Sequence, residues 1–380
     1  MSPTKINPRE QKGFTIAQLD DAVKRIDNNS YLVRSQTSTK KHYDVVAIET
    51  GWKCSCPDYI FTAERNEGIA KCKHIFAVEF SLKLRKAVEI KRISPIAQAD
   101  NCIYCQSSNI VKDGLRHNEY GDIQKYNCKL CGRYFTINLG FEKMRSSPEV
   151  ITSAMQLYFT GESLRNVQKF LKLRGVNVSH TAVYKWIKKY VKLMNEYLEK
   201  IKPNVSDTWR ADELYVKIHG NMKYLFALLD DETRFWIAQE VANTKYQHDA
   251  RNLLRNGKLI AGKVPRTLIT DGLPAYHIAF QKEYWINKDR PKHIEMITLR
   301  GDHNNNKMER FNGEIRDREK VMRGLKQTST PIITGYQIYH NYIRPHLGIN
   351  GMTPSEMCGI TVEGKDKWKT IIENARKNKV

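Results

Sequence analysis

Two kinds of side chain in this sequence come in spacings that could do chemistry: grouped thiols and isolated acids on expected strands. Seven of the eight cysteines fall before residue 132, in two tight groups. The first reads W-K-C-S-C-P-D-Y and then K-C-K-H-I-F, and offers Cys54, Cys56, Cys72 and His74. The second is a pair of C-x-x-C motifs, Cys102 with Cys105 and Cys128 with Cys131. Four thiolates, or three with one imidazole, match a closed tetrahedral zinc site, which is structural because no coordination position stays open. The N-terminus has no apolar export segment, so thiols are expected to stay reduced, which favours metal over disulfides. The acids are a different case. Asp212 lies in the first half of an expected strand after Pro203, and Asp271 closes the short apolar stretch Thr267, Leu268, Ile269, Thr270. Bare acids at strand ends of a basic protein make sense if metal neutralises them. Magnesium takes hard oxygen ligands. Two such ions about 3.5–4 Å apart can serve the attacking and leaving oxygens of a phosphodiester.

The elements that must position these groups are readable in outline. The stretch Tyr43 to Ile48 alternates like a strand, and His74 to Phe80 like a helix. With Pro57 after the second thiol, residues 1–85 resemble a SWIM zinc finger, a module similar in binding DNA or protein. Gly114 and Gly121 mark a hairpin between the C-x-x-C pairs, and Gly132 frees the last turn. Residues 98–142 resemble a zinc ribbon, with Lys112, Arg116, Lys125, Lys129 and Arg133 suited to phosphate contacts. The basic stretch 83–92 is expected to join the two modules as a helix.

Over residues 146–200 the pattern is helical. Ser147-Pro148-Glu149, Ser163 and Ser179 are helix starts, and Gly161 and Gly175 are stops. Three short helices with a turn before the last make a helix-turn-helix. The last helix buries Val183, Trp186, Ile187, Tyr190 and Val191. His180, Thr181, Tyr184, Lys185, Lys188 and Lys189 lie away from that face and suit a DNA groove. A plain three-helix bundle with a basic surface would give the same pattern.

The whole chain has 63 Lys and Arg against 41 Asp and Glu, a net charge of +22 over 380 residues. So large a surplus implies a polyanionic partner, here double-stranded DNA. Basic residues are spread along the chain, not gathered on one amphipathic stretch, which disfavours a membrane surface. No run of about 18 apolar residues predicts a membrane span. A cytoplasmic, nucleoid-associated protein is expected.

From residue 204 to 362 the expected order is three hairpin-joined strands, then helix, strand, helix, strand, helix. That is the order of the ribonuclease H-like fold. The expected fold class is therefore α/β: a mixed five-stranded sheet with helices, preceded by small zinc modules and an all-α helix-turn-helix. Residues 363–380 read as a basic tail. In such a sheet the first and fourth strands are neighbours, so Asp212 and Asp271 would meet.

Residues 147–360 resemble the DDE transposases of prokaryotic insertion sequences, of the sixth insertion-sequence family or a close relative. The markers are W-R-A-D-E, I-T-D-G, N-N-N-K-M-E-R-F-N-G and the late H-N-Y-I-R-P-H-L-G with M-T-P-S-E. The resemblance makes Asp212, Asp271 and Glu309 the catalytic acids, holding two Mg2+ ions, with Mn2+ as a substitute, beside two structural Zn2+ ions. The separations are 59 and 38 residues, the second slightly longer than usual for the family. A SWIM module is an unusual front end for it. Among competing acids, Glu213 points to the opposite strand face. Asp230 and Asp231 read as turn formers, and Glu314 and Glu319 follow Glu309 without the asparagine run. Asp302 and His303 read as a polar loop. Arg310, Arg316, Arg318, Lys320, Arg323 and Lys326, with Arg344 and His346, are candidate DNA contacts. The implied activity is Mg-dependent 3′-end cleavage and strand transfer by a homodimer or larger assembly on terminal repeats. A domesticated DNA-binding regulator and an RNA–DNA hybrid nuclease are the alternatives.

Overall fold

The computed structural model describes residues 7–19, 22–26, 30–38, 41–48, 51–63, 71–86, 91–96, 101–118, 121–136, 138–285, 291–295, 306–321 and 331–379. The chain divides into a unit before residue 91 and a larger unit that carries most residues from 91 onward.

In the first unit, α1 (Pro8–Gln18) precedes a four-stranded antiparallel sheet, β1 (Val23–Arg25), β2 (Ser30–Arg34), β3 (His42–Ile48) and β4 (Gly51–Cys54), in that spatial order. Then come α2 (Pro57–Ala63) and α3 (Lys73–Lys86). Alternate residues Tyr31 and Val33 on β2, with Val45 on β3, face Ile75 and Val78 of α3 in one small core. Helix α1 lies close on α3 because Gly13 has no side chain. A Cβ there would stand 2.4 Å from Phe76 Cβ.

The larger unit opens with β5 (Lys91–Ile93). This differs from the helix expected over 83–92. Helix α3 reaches Lys86, but Lys91, Arg92 and Ile93 pair in parallel with a strand near the C-terminus, so tertiary pairing overrides local pattern. An antiparallel three-stranded sheet follows, β6 (Ile110–Asn118), β7 (Gly121–Cys128) and β8 (Tyr134–Thr136), with its own small core of Cys102, Tyr126, Cys128 and Phe135.

Helices α4 (Pro148–Thr160), α5 (Leu164–Leu173) and α6 (His180–Leu198) start where Ser147, Ser163 and Ser179 accept bonds from Val150, Asn166 and Ala182 N–H groups. Gly161 and Gly175 sit at positive φ after the first two. The central sheet holds β9 (Thr208–Ile218), β10 (Asn221–Asp230), β11 (Trp236–Ala242), β12 (Thr267–Ile269) and β13 (Lys292–Ile294). Its order is β11-β10-β9-β12-β13, antiparallel among the first three and parallel thereafter. This is the 3-2-1-4-5 arrangement of a ribonuclease H-like sheet. Helices α7 (Gln247–Ala261) and α8 (Pro274–Tyr284) follow β11 and β12, and α9 (Asn306–Glu319) follows β13. The Met296 and Ile297 end of the expected fifth strand lies outside the described residues, as do Asp302, His303, Arg323 and Lys326.

Helix α10 (Pro331–Ile338) runs into a π-helical turn, Tyr339–Ile343. This turn protects the sheet edge: Asn341 accepts from the Trp236 N–H and donates to its carbonyl, at 2.8 and 2.9 Å. Much of the late H-N-Y-I-R-P-H motif is thus a structural brace. After α11 (Pro354–Met357), β14 (Ile360–Val362) pairs with β5, and α12 (Lys367–Lys377) comes last. The expected basic tail is therefore a folded helix. Asp366 caps it, and Trp368, Ile371, Ile372 and Ala375, at helical spacing, are buried. Trp368 stacks on Phe159 of α4 at 5.4 Å, so helices α4 to α6 and the sheet share one continuous core.

No helix among the described residues is long and apolar enough to cross a membrane.

Candidate active site and metal centres

The register of the central sheet positions the first two acids. β12 and β9 pair Thr267 with Thr208 and Ile269 with Arg210, an offset of 59 residues. Asp271 and Asp212 are separated by the same 59, so the chain leaving β12 places Asp271 across from Asp212. Asp271 is exposed at the head of a turn, where its Oδ1 accepts from Leu273 N–H at 3.2 Å. Gly272 must be glycine here. Its φ is +89°, and a Cβ would stand 2.8 Å from the Glu295 carbonyl oxygen.

The structure adds a third carboxylate that the strand alternation assigns to the opposite face. Asp212, Glu213 and Asp271 each offer an oxygen within 4.8 Å of the others. Glu213 does face the other side of β9, among α7 and α8, yet it is long enough to reach the strand-end cluster. Its carboxylate meets Lys245 at 2.8 Å and is almost fully buried. The hydroxyl of buried Tyr276 is held well above its ordinary pKa, first by burial and then by the negative charge of Glu213, Asp212 and Asp271. Three carboxylates with oxygens this close repel one another unless a cation lies among them, so these side chains fit a hard divalent ion.

Glu309 stands outside that group, exposed in the first turn of α9. Helix α9 buries Met308, Phe311, Asn312, Ile315 and Arg318, a stripe at helical spacing. Four polar ties fix its position. Lys307 donates to Asp231 Oδ1 at 2.9 Å, and Asn312 Nδ2 to Asp212 Oδ2 at 2.9 Å. Arg344 clasps Glu314 at 2.7 and 3.1 Å, and Glu319 accepts from the Lys217 N–H. Asp231, expected as a turn former, thus anchors α9; it also pairs with Arg210. Asp230 is buried, accepting from the N–H and hydroxyl groups of Ser206 and Thr233. Burial raises its pKa to about 6. Asn312 is the contact that sequence reasoning missed. Its signal was its place one turn after Glu309 on the face turned to β9.

Several expected DNA contacts have other occupations. Arg344 is engaged by Glu314 and half-buried. His346 is buried, its Nε2 against the His340 carbonyl, with its pKa pushed down to about 4 by burial. Arg318 is buried, donating to the Tyr158 carbonyl and lying over its ring. Lys320 pairs with Asp317. Arg310 and Arg316 remain exposed, Arg310 with Glu314 at 3.8 Å. On α6, Thr181, Lys185 and Lys188 are exposed, and His180 and Tyr184 half-buried. Lys189 is exposed too, with its ammonium 3.3 Å from Met144 Sδ.

The thiol clusters assemble as spaced. Cys54 ends β4, Cys56 precedes α2, and Cys72 and His74 sit at the start of α3. His74 Nδ1 is 3.9 Å from Cys54 Sγ and 4.0 Å from Cys72 Sγ. In the second cluster Cys102 and Cys131 are 3.7 Å apart, and Cys105 and Cys128 3.5 Å. A tetrahedron with zinc–sulfur bonds of about 2.3 Å has edges of about 3.8 Å, whereas a disulfide would need about 2.05 Å. The donor sets therefore fit zinc. So many thiols cannot all ionise without a cation: Cys54 is pushed up by its hydrogen bond to Cys56, which is pushed down.

Comparison with known proteins adds the family context. Residues 206–346 match the family model DDE_Tnp_IS240, a DDE domain. Over 147 residues the chain is 31% identical to the Staphylococcus aureus transposase for insertion sequence-like element IS431mec. It is equally similar to that organism's transposase for insertion sequence element IS257 in transposon Tn4003. These matches take in 37% of this chain and 63% of the length of each relative. The HTLV-2 integrase catalytic core domain in complex with magnesium is similar at 16% identity and a TM-score of 0.32, over 42% of this chain and 98% of that one.

Proposed function

We propose that this chain, whose residues 206–346 match a DDE-domain family model and resemble insertion-sequence transposases, is a DNA transposase with Asp212, Asp271 and Glu309 as its catalytic acids. The observation that carries the reading is the convergence of the Asp212 and Asp271 carboxylates within 4.8 Å, one on β9 and the other in the turn just past its neighbour β12. With α9 docked by Asn312 on Asp212, Glu309 would complete the oxygen set for two Mg2+ ions, or Mn2+ in their place. Such ions, when bound, acidify the attacking hydroxyl and neutralise the leaving oxygen.

The chain's own residues do the rest. Asn312 and the Glu213 N–H each hold one oxygen of Asp212, at 2.9 and 2.8 Å, which fixes the plane of that carboxylate. Lys245 offsets the Glu213 charge. Tyr276 keeps its proton and so adds no further anion. Arg310 and Arg316, exposed on α9, are placed to hold the DNA backbone. The exposed α6 residues Thr181, Lys185 and Lys188, with His180 and Tyr184, would read the terminal repeats. Zinc in the two thiol clusters would stabilise the SWIM-like and ribbon modules. Because two DNA ends must be joined, the working form is a homodimer or larger assembly on DNA.

The test is strand transfer of oligonucleotide ends in magnesium. The wild type is expected to join them, and Asp212→Asn not to, while both bind DNA equally. Equal inertness with DNA binding intact would favour a regulator. Preference for RNA–DNA hybrids would favour a nuclease.

A further inference from the structure

One strand beyond the acid pair, a second set of metal-ligand types converges from separate elements. His277 comes from α8, His293 from β13, and Glu295 follows β13 directly. One ligand atom from each lies within 4.8 Å of the other two. Glu295 Oε1 is the shared centre, 2.9 Å from His293 Nδ1 and in close contact with His277 Nδ1. The His293 side chain is only 7% exposed, and its ring stacks on Phe280 at 4.7 Å, so it has little freedom to turn. Its buried Nδ1 points into the cluster, against the Glu295 carboxylate. An imidazole nitrogen and a carboxylate held together in so sheltered a cluster are satisfied either by a shared proton or by a cation.

The outer nitrogen of His293 is held as a metal-bound histidine requires. His293 Nε2 lies 3.0 Å from Thr270 Oγ1, which can accept its proton and leave the Nδ1 lone pair for a cation. Gln281 Nε2 lies 2.8 Å from His277 Nε2, and a flip of that amide would bring its oxygen there to accept the His277 proton. His277 and Glu295 are open to solvent, so an ion has an entry path and a water can complete its coordination.

We propose that His277, His293 and Glu295 form a site for a divalent transition metal, zinc foremost. Two imidazoles and one carboxylate select such an ion over magnesium, which prefers oxygen ligands alone. The site is separate in donor chemistry from the Asp212–Asp271 pair but adjoins it mechanically. It ties α8 to the end of β13, and the Glu295 carbonyl abuts Gly272, next to Asp271. Occupancy would brace the turn that carries the second acid. The proposal does not depend on the transposase reading.

The experiment is equilibrium dialysis of the full-length protein against buffered micromolar free zinc, with bound zinc counted by elemental mass spectrometry. The variants are His277→Ala and Glu295→Gln, both at solvent-open positions, with circular dichroism confirming that each is folded. The wild type is expected to hold one zinc more per chain than either variant. Equal zinc in all three proteins would overturn the proposal and leave the cluster as a proton-sharing His–Glu–His contact. Loss of zinc from a thiol cluster would lower all three counts alike and leave the one-ion difference intact.

Discussion

Replacing Asp271 by asparagine should stabilise the metal-free protein while abolishing its response to magnesium. Asp212 and Asp271 hold oxygens within 4.8 Å of each other. Two unit charges at that distance repel by about 0.9 kcal/mol in water and by about 3.5 kcal/mol at an effective dielectric constant near 20. Asp271 is exposed, which favours the lower figure, so removing its charge should relieve about 1 kcal/mol. Glu213 adds little, because Lys245 stands 2.8 Å from it. The substitution keeps the turn, since an asparagine oxygen can accept from Leu273 N–H as Asp271 does. About 1 kcal/mol corresponds to roughly 2–4 °C in the melting temperature of a large domain. Magnesium should raise the wild-type melting temperature, by about 2.7 kcal/mol of stability at a hundredfold excess over its dissociation constant. Thermal melts in chelator and across a magnesium titration read both effects. A variant that melts lower than wild type in chelator, or gains as much from magnesium, would refute the shared-cation reasoning.

Three further outcomes test the site and its supports. Glu309→Gln should abolish strand transfer while Glu213→Gln keeps most of it; the reverse in an end-joining assay would make Glu213 the third metal ligand. Arg344→Ala should cost about 1–2 kcal/mol in urea unfolding through loss of the two-pronged bond to Glu314. Its DNA binding should keep the wild-type salt dependence, and a slope reduced by about 0.9 would mark a lost phosphate contact instead. His346 should contribute a loss of stability as pH drops from 6.5 towards 4, because burial holds it neutral down to about 4 while the unfolded chain takes up its proton near 6.5. The loss amounts to about 3 kcal/mol at most. Urea unfolding of the wild type and His346→Asn should show it as a difference between the two profiles that grows as pH falls, over the opposite contribution of Asp230; parallel profiles would contradict the buried neutral state.

What local spacing could decide, it decided from the sequence alone. The Cys-x-Cys, Cys-x-His and C-x-x-C spacings brought both thiol clusters together. Serine caps and glycine stops placed α4, α5 and α6. The 59 residues between Asp212 and Asp271 equal the register offset of β9 and β12, so strand pairing alone carries those acids to one place. These features depend on neighbours in sequence or on one strand pair. The rest depends on which side chains meet across the fold, and no period records that. Glu213 points to the opposite strand face yet reaches the cluster because its side chain is long and Asp271 sits on a turn beyond the strand. Arg344 and Arg318 look like DNA contacts in a basic protein, but Glu314 and the Tyr158 carbonyl hold them. Lys91–Ile93 became a strand because Ile360–Val362 lay alongside it. The basic charge of the last residues hid the apolar stripe by which α12 packs. As for the three acids, sequence brought Asp212 and Asp271 together, whereas the placing of Glu309 belongs to the contacts that dock α9, with Asn312 on Asp212 the nearest of them.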